Sequence, residues 1–254
     1  MKKLLAIALV FAAALALAAC GGRGGVDEER LVEDLYQEAI DSMGRGNYEM
    51  AVERFEQLVA RYPFGVHALQ AQLMIIYGHY RAGQPESAVA AADRFMRMHP
   101  RDENVAYALY MRGVARESMD GGGPGRLFNV NQVLRDPEPR RRAFLDYREL
   151  VERFPDSEYV EDARQRMDAL REHLAAYELY ITDFYLERRA YLAAANRART
   201  VLADYPGTEA VNGAMERLAA AYRGLGLDGL GDEVLQEMDR LREAPPAIFE
   251  AARE

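Results

Sequence analysis

Four prolines recur along this chain, and the residues around them recur with them. The prolines are Pro63, Pro100, Pro155 and Pro206. An alanine stands twelve residues before each of them: Ala51, Ala88, Ala143 and Ala194. A second alanine stands eight residues after each of them: Ala71, Ala108, Ala163 and Ala214. A large apolar residue stands five positions before: Leu58, Phe95, Leu150 and Val201. A ring directly precedes each proline: Tyr62, His99, Phe154 and Tyr205. Agreement at this many positions indicates four copies of one structural unit.

The spacing within each copy predicts a pair of helices. The positions twelve, eight and five residues before each proline fall on one face of a helix. Alanine at a fixed point lets two helices approach closely, and larger apolar neighbours fill the space around it. Proline disfavours the α conformation in the residue before it, so each copy predicts a helix that ends at this point. The stretches that follow, such as DSEYVEDA and GTEAVNGA, start the next helix with Ser, Asp or Thr as capping candidates.

A two-helix unit that repeats about every 34 residues is typical of tetratricopeptide repeats. The first two prolines are 37 residues apart, and the later spacings of 55 and 51 residues require insertions. We therefore predict an all-α, tetratricopeptide-like superhelical solenoid of about five helical hairpins, with about ten helices. One insertion is the Gly-rich stretch 121–136. The other is one long helix near 158–188, which contains no Gly or Pro and which we expect to project beyond its neighbours. A glycine-rich turn at 224–231 should precede a last helix, 232–242.

The first twenty residues predict a lipoprotein leader rather than part of the fold. Two lysines precede an uncharged apolar run, residues 4–17, which is shorter than the roughly 20 residues of a membrane-spanning helix. The cluster LAAC resembles a bacterial lipobox, in which Cys20, the only cysteine, is lipidated. Gly21 and Gly22 follow it and favour the outer membrane, by resemblance to lipoprotein sorting rules. The alternative is an ordinary secreted protein with an unpaired thiol.

The chain lacks a recognisable catalytic pattern. Its four histidines show no metal-ligand spacing, and no Gly-rich phosphate loop follows a strand. The formal net charge is −9, without a basic block, which argues against nucleic acid as a partner. We therefore predict no enzymatic activity, no metal and no cofactor. The function is expected to lie in the surface.

Phe64 is the surface residue that the repeat explains least. It directly follows the first proline, where the later copies have Arg101, Asp156 and Gly207. Packing of the repeat therefore does not require an aromatic residue at this position. The long helix near 158–188 is a second candidate, as a docking surface.

Several motifs together resemble the BamD family of outer-membrane lipoproteins. They are the lipobox, RYPFG, ALYMRGVA, RDPEPRRRAFLDYRELVERFPDSEY and AAYELYITDFYLERRAYLAAANRARTVLADYPGT. The resemblance extends from Tyr36 to about Leu241. It includes the insertion that ends in Arg135-Asp136-Pro137, which generic tetratricopeptide proteins lack.

The resemblance implies a non-enzymatic subunit of the β-barrel assembly (BAM) complex, lipid-anchored on the periplasmic face of the outer membrane. Its implied partners are the targeting signals of unfolded outer-membrane β-barrel proteins, the periplasmic domain of the barrel subunit BamA, and other BAM lipoproteins. The alternative is another periplasmic tetratricopeptide lipoprotein scaffold, pilotin-like or coordinating the cell envelope. The expected division is a signal peptide (1–19), a lipidated cysteine and flexible tether (20–27), substrate-recognition repeats (28–118), an insertion (119–136), BamA-docking repeats (137–242) and a tail (243–254).

Site residues follow from the resemblance and from helical geometry. The RYPFG motif places Tyr62, Phe64 and Gly65 in the family's N-terminal substrate motif. The substrate site is extended along the adjacent first helices of two repeats to Tyr36, Gln70 and Tyr77. Arg112 is expected to bind a substrate carboxylate, with a structural ion pair as the alternative. The residues expected to dock on BamA are Glu187, Tyr191, Asn196 and Arg197, of which Arg197 is the first choice.

Overall fold

The computed structural model of the chain describes residues 24–119 and 136–243. Ten α-helices and no strand occupy these two stretches. In chain order they are α1 (Gly24–Gly44), α2 (Tyr48–Arg61), α3 (Val66–Arg81), α4 (Pro85–Met98), α5 (Val105–Met119), α6 (Glu138–Arg153), α7 (Val160–Glu187), α8 (Tyr191–Asp204), α9 (Ala210–Gly224) and α10 (Asp228–Glu243). The predicted all-α fold is confirmed.

Three-residue turns of one conformation join four of the helix pairs. The middle residue of each turn has a left-handed φ: 80° at Gly46, 72° at Gly83, 57° at Arg189 and 76° at Gly226. The N–H of this residue donates to the carbonyl three residues back, and the next N–H donates to the carbonyl five residues back. This Schellman geometry satisfies the last carbonyls of the first helix and returns the chain into a hairpin. The fifth pair, α5 and α6, lies on either side of residues 120–135 and packs together as well.

The matched alanines lie in the core, as the repeat predicts. All eight are 0% exposed. The helices α2, α4, α6 and α8 each end two residues before a proline. At Tyr62, Phe154 and Tyr205 the ring residue is the C-cap, with φ between −129° and −132°, because the following proline removes it from the α region. The sequence pattern therefore marks both the helix ends and the helix contacts.

The described chain forms two compact units that divide within α4, after Phe95. In the first unit, α1 packs against α2 and α3, and α2 packs against α3. In the second unit, each helix from α5 to α10 packs against the next, and α7 also reaches α9. The predicted functional division at residues 119–136 stays a prediction.

The long helix is present, but the prediction that it projects beyond its neighbours is wrong. Helix α7 has 28 residues, about 42 Å, against 14 in α8. One face of its second half is buried: Glu178 is 2% exposed and Thr182 is 0% exposed. The next residue, Asp183, accepts two hydrogen bonds from Arg217 of α9, at 2.6 and 2.9 Å. The extra length of α7 is used to pack against α9 in addition to α8.

Three local predictions also differ from the structure. Helix α1 begins at Gly24, inside the stretch 20–27 that was expected to be a flexible tether. Helix α10 begins at Asp228, inside the expected glycine turn, and Gly231 is buried where a Cβ would lie 3.1 Å from the Ala219 carbonyl oxygen. Helices α7 and α9 begin without a side-chain cap, and before α9 the hydroxyl of Thr208 donates to the Tyr205 carbonyl at 2.8 Å.

The leader with Cys20, the insertion core 120–135 and the tail from 244 lie outside the described residues. Among the helices that are described, none combines the length and the apolar character needed to cross a membrane. The same part of the chain contains no group of three or more His, Cys, Asp or Glu side chains arranged to hold a metal ion.

Replacing Arg189 with glycine should stabilise the protein by roughly 0.5–1 kcal/mol. The left-handed conformation destabilises a non-glycine residue by about 1–2 kcal/mol, and glycine removes this cost. Glycine also makes the unfolded chain more flexible, which offsets part of the stabilisation. Urea denaturation followed by circular dichroism measures the change. As the matched control, Gly83→Ala in the equivalent turn should destabilise. A less stable Arg189→Gly variant would show that the arginine side chain itself stabilises the turn.

Candidate binding surfaces

Phe64 is the most exposed large apolar side chain in the described structure, at 95%. It lies in the turn between α2 and α3, which has only four residues, whereas the corresponding turn between α6 and α7 has six. Gly65 closes this short turn with φ 152° and ψ 166°, a conformation essentially restricted to glycine. The local sequence therefore explains both residues: the glycine makes the tight turn, and the turn leaves the phenylalanine ring in solvent.

Tyr36 lies on α1 and contacts two rings of the first unit. Its ring centre is 5.6 Å from that of the fully buried Phe55 and 5.0 Å from that of His67. The imidazole Nε2 of His67 lies 3.1 Å from a carboxylate oxygen of Glu33. Burial, assisted by the charge of Glu33, raises the pKa of Tyr36. His67 and Glu33 belong to this environment, although the sequence analysis did not select them.

The structure separates the predicted substrate residues of the first unit into two places. Gln70 is exposed one helical turn after His67. Tyr77 lies ten residues beyond His67 on α3, about 15 Å along the helix axis. The hydroxyl of Tyr77 accepts a hydrogen bond from Arg81, whose guanidinium lies 4.7 Å from the Tyr48 ring centre. Tyr77 therefore belongs with the α1–α2 and α3–α4 turns rather than with Phe64.

Arg112 lies in the second unit and takes part in a buried ion pair. Its Nη2 is 2.8 Å from one carboxylate oxygen of Asp146, and Arg116 approaches the other oxygen at 2.6 Å. The Asp146 side chain is 3% exposed. Burial raises the pKa of Asp146 to about 6, although both arginines act to lower it. A substrate carboxylate would have to displace this pair, so the geometry favours the structural alternative for Arg112.

Arg197 occupies a comparable arrangement among α6, α7 and α8. It donates to Glu178 at 3.0 Å, and Arg141 approaches the other oxygen of the same carboxylate at 3.6 Å. The hydrogen bond to Glu178 is the main cause that raises the pKa of Arg197. The Glu178 side chain is 2% exposed, while that of Arg197 is 44% exposed. Arg197 is thus both a surface residue and the partner of a buried charge.

The other predicted docking residues differ in their surroundings. The Tyr191 ring lies against Gly224 so closely that a Cβ there would be 2.4 Å from it. Tyr48 has the equivalent position at the start of α2, and it contacts Arg81 at the end of the next helix. Gly224 is the residue that corresponds to Arg81, so both tyrosines pack against the end of the following helix. Asn196 and Glu187 are exposed.

Leu192 is a surface residue that the sequence analysis missed. Its side chain is 65% exposed, and it stands four residues before Asn196 and seven before Arg199, which is also exposed. This spacing places the three residues on one face of α8, which we call the α8 face. The spacing shows that these residues share a face, but exposure of that face is not visible in the sequence.

Comparisons with known proteins cover nearly all of the chain. The family model of YfiO, described as an outer membrane lipoprotein, matches residues 28–236. The outer membrane protein assembly factor BamD of Vibrio cholerae is 39% identical over 224 residues, which are 88% of this chain and 90% of that protein. BamD of Neisseria meningitidis serogroup A is 39% identical over 232 residues, with coverages of 89% and 86%. BamD of Haemophilus influenzae is 30% identical over 254 residues, all of this chain and 97% of that protein.

Reversing the charge of Arg197 should destabilise the protein by roughly 2–4 kcal/mol. The change removes one arginine from the buried Glu178 and places a second carboxylate beside it. Chemical denaturation of Arg197→Glu measures the effect. Arg199→Glu is the matched control on the same helix, and its effect should stay within about 0.5 kcal/mol because this side chain is exposed. Equal stability of the two variants would contradict the role of the Glu178 pair.

Proposed function

This chain belongs to the YfiO family of outer membrane lipoproteins, and from that premise we propose that it is an assembly factor for outer-membrane β-barrel proteins, of the BamD type. The observation that carries the proposal is the likeness to BamD proteins along nearly the whole chain, at up to 39% identity. In this function the protein is a lipid-anchored scaffold on the periplasmic face of the outer membrane. Cys20 receives the lipid, the first unit binds the targeting signals of unfolded barrel proteins, and the C-terminal helices dock on BamA.

Phe64 supports the substrate part of the proposal. An exposed phenylalanine ring offers a large contact area and few torsions to immobilise, which suits an extended peptide rich in apolar and aromatic residues. The fold does not need this ring, because its exposure is 95% and the other three copies lack an aromatic residue there. Tyr62 and Gly65 hold the turn, while Tyr36 and Gln70 extend the surface along the neighbouring helices. Tyr77 is a more distant contact in the same unit, whereas Arg112 lies in the second unit, where its pair with Asp146 favours a structural role.

The α8 face supports the docking part of the proposal. Leu192 supplies exposed apolar area, and Asn196 and Arg199 flank it with polar groups, a composition common in protein interfaces. In the proposal, Arg197 of the same helix and Glu187 at the end of α7 add charge to the docking region. Tyr191 contributes by holding α8 against α9. Other BAM lipoproteins are further partners of the same scaffold.

Replacing Phe64 with serine should weaken binding of a barrel-protein targeting peptide at least fivefold, about 1 kcal/mol. The measurement is fluorescence anisotropy of a dye-labelled peptide that ends in phenylalanine, titrated with the purified full chain in detergent. Leu145→Ser is the control, since it removes a 44% exposed leucine from the second unit. Unchanged affinity in Phe64→Ser, or peptide crosslinks confined to residues after Tyr177, would contradict recognition by the first unit.

A pull-down from the outer membrane tests the lipid anchor and the docking surface independently. The tagged wild-type chain should be recovered from the membrane fraction together with BamA. Cys20→Ala should move the chain to the soluble periplasmic fraction, whereas Leu192→Asp should leave it in the membrane but reduce co-purified BamA at least tenfold. Leu145→Asp is the matched control and should retain BamA. Membrane attachment of Cys20→Ala would overturn the lipid anchor, and full recovery of BamA with Leu192→Asp would overturn the α8 face.

A further inference from the structure

An aromatic cleft lies in the second unit, at the turn between α6 and α7. It has a volume of about 600 Å³, within the usual range for ligand-binding clefts. Three rings line it: Tyr107 from the first turn of α5, and Phe154 and Tyr159 from the turn that contains Pro155. None of these rings belongs to the substrate or docking surfaces described above.

The internal repeat shows that two of the rings are not needed for packing. Tyr159 stands four residues after its proline, where the other copies have His67, Asn104 and Ala210. Tyr107 stands seven residues after its proline, where the other copies have Gln70, Asp162 and Gly213. The first copy has an imidazole ring, His67, at the first of these positions, but the other copies form their hairpins without a tyrosine or phenylalanine at either one. By the same comparison that singles out Phe64, these two rings have a role other than building the hairpin.

The rings form a fixed platform. The Tyr159 ring is stacked on Tyr110, with centres 5.0 Å apart and planes 22° apart, and its centre lies 5.7 Å from that of Tyr107. The Tyr110 hydroxyl donates to Asp162 at 2.7 Å, which holds the stack in place. A ligand that packs on a preorganised surface loses little side-chain entropy of the protein.

The walls of the cleft carry more acidic than basic side chains. Glu103, Asp156 and Glu158 line it, all three exposed, and within the described part of the chain none of them forms an ion pair. Arg153 is the only cationic side chain among the lining residues, and its guanidinium is already paired with Glu149 while it lies 5.1 Å from the Phe154 ring centre. A complementary occupant therefore brings positive charge.

We propose that this cleft binds an extended peptide segment in which an aromatic side chain neighbours an arginine or lysine. The aromatic side chain packs against Tyr107 and Tyr159, and the basic side chain pairs with the carboxylates at the walls. An acidic or purely aliphatic segment lacks one of the two contacts. The cleft is a peptide site additional to the surface around Phe64, which belongs to the other compact unit.

The test uses an eight-residue peptide, Gly-Ser-Gly-Arg-Phe-Gly-Ser-Gly, labelled with a fluorescent dye and titrated with the purified full chain in detergent. Neutralising the walls in the triple variant Glu103→Gln, Asp156→Asn, Glu158→Gln should weaken binding of this peptide at least tenfold. Binding of the counterpart with Gly in place of Arg should change by less than twofold. Tyr159→Leu should weaken both peptides at least fivefold, with an unchanged circular dichroism spectrum as the test of folding.

Two controls distinguish binding in the cleft from binding elsewhere on the protein. A triple variant of exposed acids in the first unit, Asp34→Asn, Glu53→Gln and Glu56→Gln, makes the same change in net charge and should retain the affinity. Phe64→Ser should also retain it. Equal losses in the two triple variants would overturn the proposal in favour of long-range charge attraction. Loss of the peptide in Phe64→Ser would assign it to the first unit, and no binding by the wild-type chain at about 1 mM peptide, about −4 kcal/mol, would overturn the cleft as a peptide site.

Discussion

The close approach of helices at alanine is the contact on which the rest of this structure depends. Eight alanines at two fixed distances from four prolines are all fully buried, and a large apolar residue five positions before each proline is at most 1% exposed. The small residues let the helix backbones approach closely, and the larger residues fill the remaining space to the packing density of a protein interior. Within each compact unit, neighbouring helices can then pack closely without a change in the structure of the hairpins. Turns and surface positions are left open to variation, and in these places the copies differ.

Buried charges form a second set of constraints on the C-terminal helices. Asp146 is held between two arginines of α5, and Glu178 is held by arginines of α6 and α8. A carboxylate inside a protein is costly unless it is paired, so each of them penalises any arrangement in which its arginines move away. The consequence for function is that Arg197 and Arg112 cannot be treated as free surface groups. A binding defect after a charge change at either residue can arise from the loss of its internal pair.

Much of the fold was predictable from the sequence because the repeat supplies several independent copies of the same pattern. The helix ends before the prolines and the buried alanines follow directly from the aligned spacings. The second half of α7 was mispredicted because apolar periodicity indicates which face is buried but not which helix covers it, and Asp183 and Arg217 are 34 residues apart. The start of α10 was mispredicted because glycine is a poor helix former, whereas Gly231 lies within this helix and packs closely against Ala219. This contact is between helices and is not visible in the local sequence.

The candidate sites were less predictable than the fold. Phe64 could be selected because the other copies show that the repeat does not need it, and the same comparison would have selected Tyr107 and Tyr159. Arg197 looked like a free cation in an alanine-rich helix, since its partner Glu178 is 19 residues away and no local pattern reveals the pair. Leu192 was passed over because an isolated leucine in a helix is most often buried.

At the turn of Gly65, the residue proposed to bind peptide, Phe64, is distinct from the residue that determines the path of the chain. The glycine conformation, rather than the phenylalanine ring, determines the path of the chain between α2 and α3. Substitutions at position 64 therefore meet almost no selection for stability, while substitutions at position 65 meet strong selection. Any preference for one peptide over another that depends on position 64 can drift between lineages, or be reprogrammed in the laboratory, without a compensating mutation elsewhere.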